Sequence, residues 1–424
     1  MMEGIFGAGG GPLFSRLFST TASLGADATF TRASAATVID HEDVHHTAKS
    51  GEARFQFARR VENLLTDTED FDAAAWYAAG SGSPTISSFG VDEGEAEWPT
   101  GGVGNVGQVN LGSFGDQQVV SAVDIKLVTG TPTSMQLYIQ DSTGLPTVIP
   151  IHGIITSDYK RITVSHTAAS AANDIDCFIR NNANTGSQIK VHIRYPQLQN
   201  KTGASDPTVP DDYVSVGVES APYHGANVDG VKYFTTDNGN SVTSNVVTEA
   251  TGATISPAPS LLMEPAATNY LLNSDVPATQ TTESLGTGDY ILWVDGTGSA
   301  AVTAGTATIT GGGTASDGTP DLFTVTGAGT VTVTVTGSLD RFQLESGSVR
   351  TSYIPTTTVA VSRAADALSY SGIAADNETR AVENGTDVDV DDWDGVVDTT
   401  LDSDADGILE LSSITVYTTG ERPA

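Results

Sequence analysis

The stretch Ala53 to Phe71, Ala-Arg-Phe-Gln-Phe-Ala-Arg-Arg-Val-Glu-Asn-Leu-Leu-Thr-Asp-Thr-Glu-Asp-Phe, has a weaker echo far downstream at Leu261 to Asp275, Leu-Leu-Met-Glu-Pro-Ala-Ala-Thr-Asn-Tyr-Leu-Leu-Asn-Ser-Asp. With Asn63 laid on Asn269, both copies give an Asn, a short apolar run and a polar, acidic patch. That order reads as a strand leading into the first turn of a β-domain, so each copy opens a module. Each module also has a closing signature. Tyr-Pro-Gln-Leu-Gln at 195–199 precedes Asp212-Tyr213-Val214, while Arg-Phe-Gln-Leu-Glu at 341–345 precedes Ser352-Tyr353-Ile354-Pro355 and Ser362-Arg363-Ala364-Ala365-Asp366. Gln197 lies much further from Asn63 than Gln343 does from Asn269, so the modules share their ends and differ in their filling.

A chain of 424 residues predicts two or three domains with real cores. Nineteen basic against 52 acidic residues give a formal charge of -33, which opposes binding to nucleic acid or to an anionic membrane. Forty-five glycines among abundant Thr, Val, Ser and Ala favour short strands and tight turns. The single cysteine, Cys177, alternates with polar neighbours as a strand residue does and reads as a buried structural thiol. The N-terminal residues lack the basic and apolar regions of a secretory signal, and no run of about 18 apolar residues offers a membrane span.

These features predict an all-β chain of tandem antiparallel β-sandwich, jelly-roll-like modules with hairpin connectors. The expected divisions are an N-terminal docking arm at 1–28, a β-hairpin connector at 29–62, a first jelly roll at 63–200, a β connector at 201–260, a second, reduced sandwich at 261–366 and an acidic β segment at 367–424. Alternating strands near 119–127, 135–139, 160–164, 175–179 and 189–193 fill the first module. In the second, the Thr-Val alternation of 330–336 places every Val on one face. Phe6, Leu13, Phe14, Leu17 and Phe18 are the candidate residues of the arm that docks on a neighbour, with folding back onto its own domain as the alternative.

The opening and closing signatures, together with Phe30-Thr31-Arg32-Ala33-Ser34-Ala35-Ala36-Thr37, resemble modular appendage proteins of tailed bacteriophages. In that family an Arg-Ala-Ser-type strand, a Glu-x-x-x-Thr-Asn-Leu-Leu opening, a carbohydrate-binding-module-like jelly roll and a Gln-Leu-Glu to Thr-Ser-Tyr-Ile-Pro-Thr close recur in tail fibres, spikes and other virion parts. Glu264, Thr268-Asn269, Leu271-Leu272, Gln343-Leu344-Glu345 and 351–356 match it. Ala267 replaces the usual basic residue, and the first copy has Val61-Glu62 where Thr is expected. The resemblance implies a virion location, partners among capsid or tail proteins, homotrimeric assembly and a host-surface polysaccharide as ligand.

Candidate chemistry is sparse. Asp402, Asp404 and Asp406 stand at positions 1, 3 and 5 of a loop with Gly407 at 6, the spacing of a Ca²⁺ turn, although Ser413 at position 12 does not support an EF-hand. A solvated acidic turn is the competing reading. His41, His45 and His46 lie on a hairpin without an accompanying Cys, a poor zinc pattern. Sugar-binding sandwiches stack pyranose faces on aromatic rings, which nominates Trp76, Trp98 and Tyr138, with core packing as the bland reading. The chain offers no nucleophile elbow and no phosphate loop, so the expectation is a non-enzymatic fibre or spike-like appendage. A purely structural decoration protein is the alternative, and a glycan-degrading tailspike a weaker one.

Overall fold

The computed structural model describes residues 12–144, 146–172, 174–183, 186–217, 220–239, 252–373 and 377–423. In the first module, alternating side chains build two antiparallel five-stranded sheets. One runs Pro146–Pro150, Met135–Asp141, Ile175–Asn181, Gly104–Gln108, Tyr77–Ala79; the other runs Lys160–Thr167, Gln118–Thr129, Ile189–Asn200, Glu93–Trp98, Thr85–Ser88. Leu137, Ile139 and Ile179 from the first sheet meet Val123, Ile125, Ile162, Val191 and Ile193 from the second in one core. Cys177 lies in that core, its Sγ 2.8 Å from Ser121 Oγ, and burial pushes the thiol up to about 11.

The second module is a six-stranded sheet around two long strands, Gly288–Ala304 and Val331–Ser346. Their pairing shifts register at Asp295/Gly296, and residues on both sides of that bulge, Leu292 and Val294 on one and Ala300 and Val302 on the other, reach the same core. Val331 and Val333 are buried and the intervening Thr side chains point outward, as the alternation predicts.

The segments outside the sandwiches share a third core. Phe18, Leu24, Phe30, Phe55, Tyr233, Leu261, Leu368, Trp393, Leu411, Ile414 and Val416 are buried together. The strand Leu409–Tyr417 pairs with Phe14–Leu17, Ser260–Met263 and Asn377–Glu383, and Ala28–Thr31 pairs with Ala367–Tyr370. Regions read separately as arm, connectors and tail therefore form one body, because each carries a strand too short to bury its apolar face alone. Within the proposed arm, Phe18 is fully buried in its own chain and the Phe14 ring lies 4.8 Å from Tyr370. Leu13 and Leu17 are about half exposed, and Phe6 lies outside the described residues.

The two module openings are held by the same bonds. Asn63 Nδ2 donates to the carbonyls of Pro196 and Val214 while its Oδ1 accepts from the N–H of Leu65 and Leu198. Asn269 does the same with Phe342, Ile354, Leu271 and Leu344. The Thr68 hydroxyl meets Tyr213, which donates to Glu69; the Ser274 hydroxyl meets Tyr353, which donates to Asp275. A buried Asn with all four groups used fixes where each sandwich starts relative to where it ends.

A charged network joins the second opening to the central body. Arg32, Asp366, Arg54, Glu264 and Arg363 alternate in sign, and all five side chains are at most 2% exposed. Such ions persist in a core only when each has a partner.

Candidate functional site

On the sandwich sheet that includes Met135–Asp141, alternation sends Met135, Leu137 and Ile139 inward and Gln136, Tyr138 and Gln140 outward. The same rule turns Asp176, Phe178 and Arg180 outward from the neighbouring strand. Cross-strand register then lays Val148, Tyr138, Phe178, Gly107 and Tyr77 in one row across all five strands. Tyr138 and Phe178 have ring centroids 6.0 Å apart, and Phe178 and Tyr77 have theirs 6.3 Å apart across Gly107, which adds no side chain between them. Tyr77 is 44% exposed, whereas Phe178 and Tyr138 are 5% and 6% exposed.

The adjoining row is polar. Ala79, Asn105, Arg180 and Gln136 stand in register, and the Arg180 guanidinium lies 5.6 Å from the centre of the Tyr138 ring. Tyr138 donates its hydroxyl to Gln140, and burial raises its pKa above the ordinary value. Burial also raises the Asp176 carboxyl. Beside these residues Ser81, Asn105, Arg180, Asn181 and Asn182 line a groove of about 270 Å³. The Oδ1 atoms of Asn105 and Asn181 are buried without a hydrogen-bond partner, although Asn181 Nδ2 donates to the Gly102 carbonyl. Tyr77 is the ring of this row that is open to solvent, and beside it a polar groove suits a ligand with an apolar face and hydroxyl edges.

Of the three aromatics nominated from sequence, Tyr138 alone belongs to this row. Trp98 is corrected: it is fully buried, because Gly94, Ala96 and Trp98 face inward while Glu93, Glu95 and Glu97 face out. Its indole N–H donates to the Gly104 carbonyl at 3.0 Å. Trp76 packs against the same core, 4.7 Å from the Phe71 ring, with its N–H donated to Asp67, so it does not face the groove. Tyr77 is among the first module's aromatics but not among the three nominated, and Phe178 is not among them at all, because strands far apart in sequence bring the two together; the outward alternation at 176–180 is the available signal.

The acidic loop is organised as its spacing predicts. One carboxylate oxygen from each of Asp402, Asp404 and Asp406 lies within 4.8 Å of the others, the only such cluster of His, Cys, Asp and Glu among the described residues. Burial alone would raise the Asp402 carboxyl, but the N–H groups of Gly407, Ala405 and Asp404 hold it below its usual value. Asp406 is raised by burial and by Asp404 and Asp402. Three oxygens at this separation can ligate a cation, and exposed carboxylates also cluster without one. The neighbouring acids do not join them: Asp389 pairs with Arg380 and Asp391 with Arg422. The histidines are not brought together as ligands, since His41 meets Asp237 and His46 meets Asp40.

No family model matches the chain, and no curated protein matches it. Among solved structures, the tandem CBM22-1–CBM22-2 domain of Paenibacillus barcinonensis Xyn10C is similar over 68% of this chain and 99% of that one, with 11% identity and a TM-score of 0.26. The CBM22-1 xylan-binding domain of the same protein covers 35% of this chain and 97% of its own, with 12% identity and a TM-score of 0.25. An exo-β-agarase matches 35% of this chain at 8% identity and a TM-score of 0.26, and the chain spans only 26% of that enzyme's length. Likeness at these scores adds nothing to what the strand order already states. These three neighbours are two carbohydrate-binding-module structures and an agarase.

Proposed function

We propose that the chain is a non-enzymatic glycan-binding component of a tailed-bacteriophage particle, assembled as a trimer, with the outer face of the first sandwich as its sugar-binding surface. The single observation that supports binding is the Tyr138–Phe178–Tyr77 row beside a groove with two unfilled amide oxygens. Sugar C–H faces pack on such rings while their hydroxyls donate to such acceptors. The virion context is supported by the opening and closing motifs, whose residues form the joints between modules. Labelled protein is expected to bind host cells and to lose that binding when surface polysaccharide is stripped or when Tyr77 is replaced by Ala. Binding that survives both treatments would overturn the reading.

A second reading, a decoration protein without a receptor, is favoured by the burial of Tyr138 and Phe178, which leaves Tyr77 as the one well-exposed ring of the row. Failure of the correctly assembled protein to bind any host polysaccharide would select it.

A further inference from the structure

A second polar cleft lies where the hairpin of Ala36–Ile39 and His45–Ala48 meets the first sandwich. It encloses about 340 Å³, and His45, Thr47, Arg60, Gln199 and Thr202 are among the residues that line it. That volume is many times the roughly 30 Å³ share of one water and falls at the lower end of small-ligand pockets. Gln199 is 2% exposed; its Oε1 accepts from the Asp211 N–H at 2.9 Å, which fixes the orientation of the amide. Its Nε2 is then left buried without a partner, as is His45 Nδ1. A buried donor in that state is destabilising until an acceptor reaches it.

The second module supplies an internal control. Glu345 stands two residues after Gln343, as Gln199 stands two after Gln197, and it accepts from the Thr351 N–H just as Gln199 accepts from that of Asp211. There the remaining capacity is filled from within the chain, by the Thr351 hydroxyl and the Trp293 indole N–H. The first module substitutes an amide for the carboxylate, and its donor is left without a partner in a residue that lines the cleft.

The charges around the cleft are already matched. Arg60 pairs with Glu52 and Glu62, His46 with Asp40, and Asp211 with Arg59 and Lys201. An ionic ligand would have to displace one of these pairs, whereas a neutral ligand displaces none. Thr202 Oγ1 accepts from the Gln118 N–H, which leaves its own proton to donate. We propose that this cleft binds a neutral saccharide of roughly one or two residues, whose oxygen accepts the Gln199 Nε2–H. The site is separate from the aromatic row and does not depend on it.

The test is saturation-transfer difference NMR of the full chain with maltose, cellobiose and lactose as probes. It is carried out in the Tyr77→Ala background so that the outer face does not contribute. At least one disaccharide is expected to give a signal, and Thr47→Trp, which fills the cleft from an exposed strand position, is expected to abolish it. Gln199→Glu retains the acceptor for Asp211 and removes the donor, as in the second module, and is expected to weaken binding about tenfold. A signal unchanged by both substitutions, or no signal from any probe, overturns the proposal.

Discussion

Phe55 and Leu261 face one another across the antiparallel pair Arg54–Gln56 and Ser260–Met263, and each stands eight residues ahead of its own module's Asn. Equivalent positions opposed in antiparallel register are related by a local two-fold axis. The axis passes through the central core, where both side chains are completely buried. The two sandwich openings are thus fastened to each other as well as to their own closing segments.

Asn63→Ala and Asn269→Ala are expected to cost similar amounts, roughly 3 kcal/mol or more each, because either change strands two carbonyls and two N–H groups in a core. Chemical denaturation followed module by module checks this. A loss below about 1 kcal/mol for either variant would show that the Asn is not a clamp.

Acid is expected to weaken the central network. Burial alone would raise the Glu264 carboxyl, but Arg54 and Arg363 hold it below its ordinary 4.5. A depressed folded-state pKa gives stability that is present above 4.5 and is lost as pH falls through the folded value. Thermal melts of the wild type should decline in that acidic window. Glu264→Gln should be less stable at neutral pH by roughly 3–5 kcal/mol, with a flatter acid limb. Matching pH profiles for the two proteins would rule this out.

Glu410 behaves in the opposite sense. Burial, then Glu383 and Asp406, raises its carboxyl, so its charged form is penalised above the raised folded value and the penalty is relieved on acidification. Glu410→Gln should raise the melting temperature at pH 7 by about a few degrees. A lower melting temperature would mean that the carboxylate has a stabilising partner.

Trp98→Ala should cost about 3–5 kcal/mol while leaving glycan binding per folded molecule unchanged. Tyr77→Ala should do the reverse, with little change in stability. Paired melts and cell-binding titrations separate the two, and the opposite pattern would return Trp98 to the surface.

Asp402→Ala removes the acceptor for three loop N–H groups, and the Ala405 and Gly407 amides should then exchange with solvent markedly faster. Unchanged exchange at both positions would show that the loop holds itself without that carboxylate.

Local patterns made much of this legible. Alternation revealed the sandwich strands, and the shared spacing around Asn63 and Asn269 and around Tyr213 and Tyr353 marked residues that make matching bonds. The Glu93, Glu95, Glu97 alternation by itself places Trp98 inward. The central body was not legible, since Phe14–Leu17 meets Leu409–Tyr417, and nothing local in either strand names a partner some 400 residues away. The Tyr77–Phe178 contact was hidden for the same reason: pairing between distant strands creates it.

That distant pairing gives the molecule an order in time. During synthesis the first sandwich has all its strands by Asn200, and the second has its long pair by Ser346. The central sheet must wait for Leu409–Tyr417, the strand that joins three others. Until it emerges from the ribosome, Phe18, Phe55 and Leu261 have no closed core to enter. The nascent chain therefore carries two finished modules on an open, sticky hub, and the last strand acts as the latch.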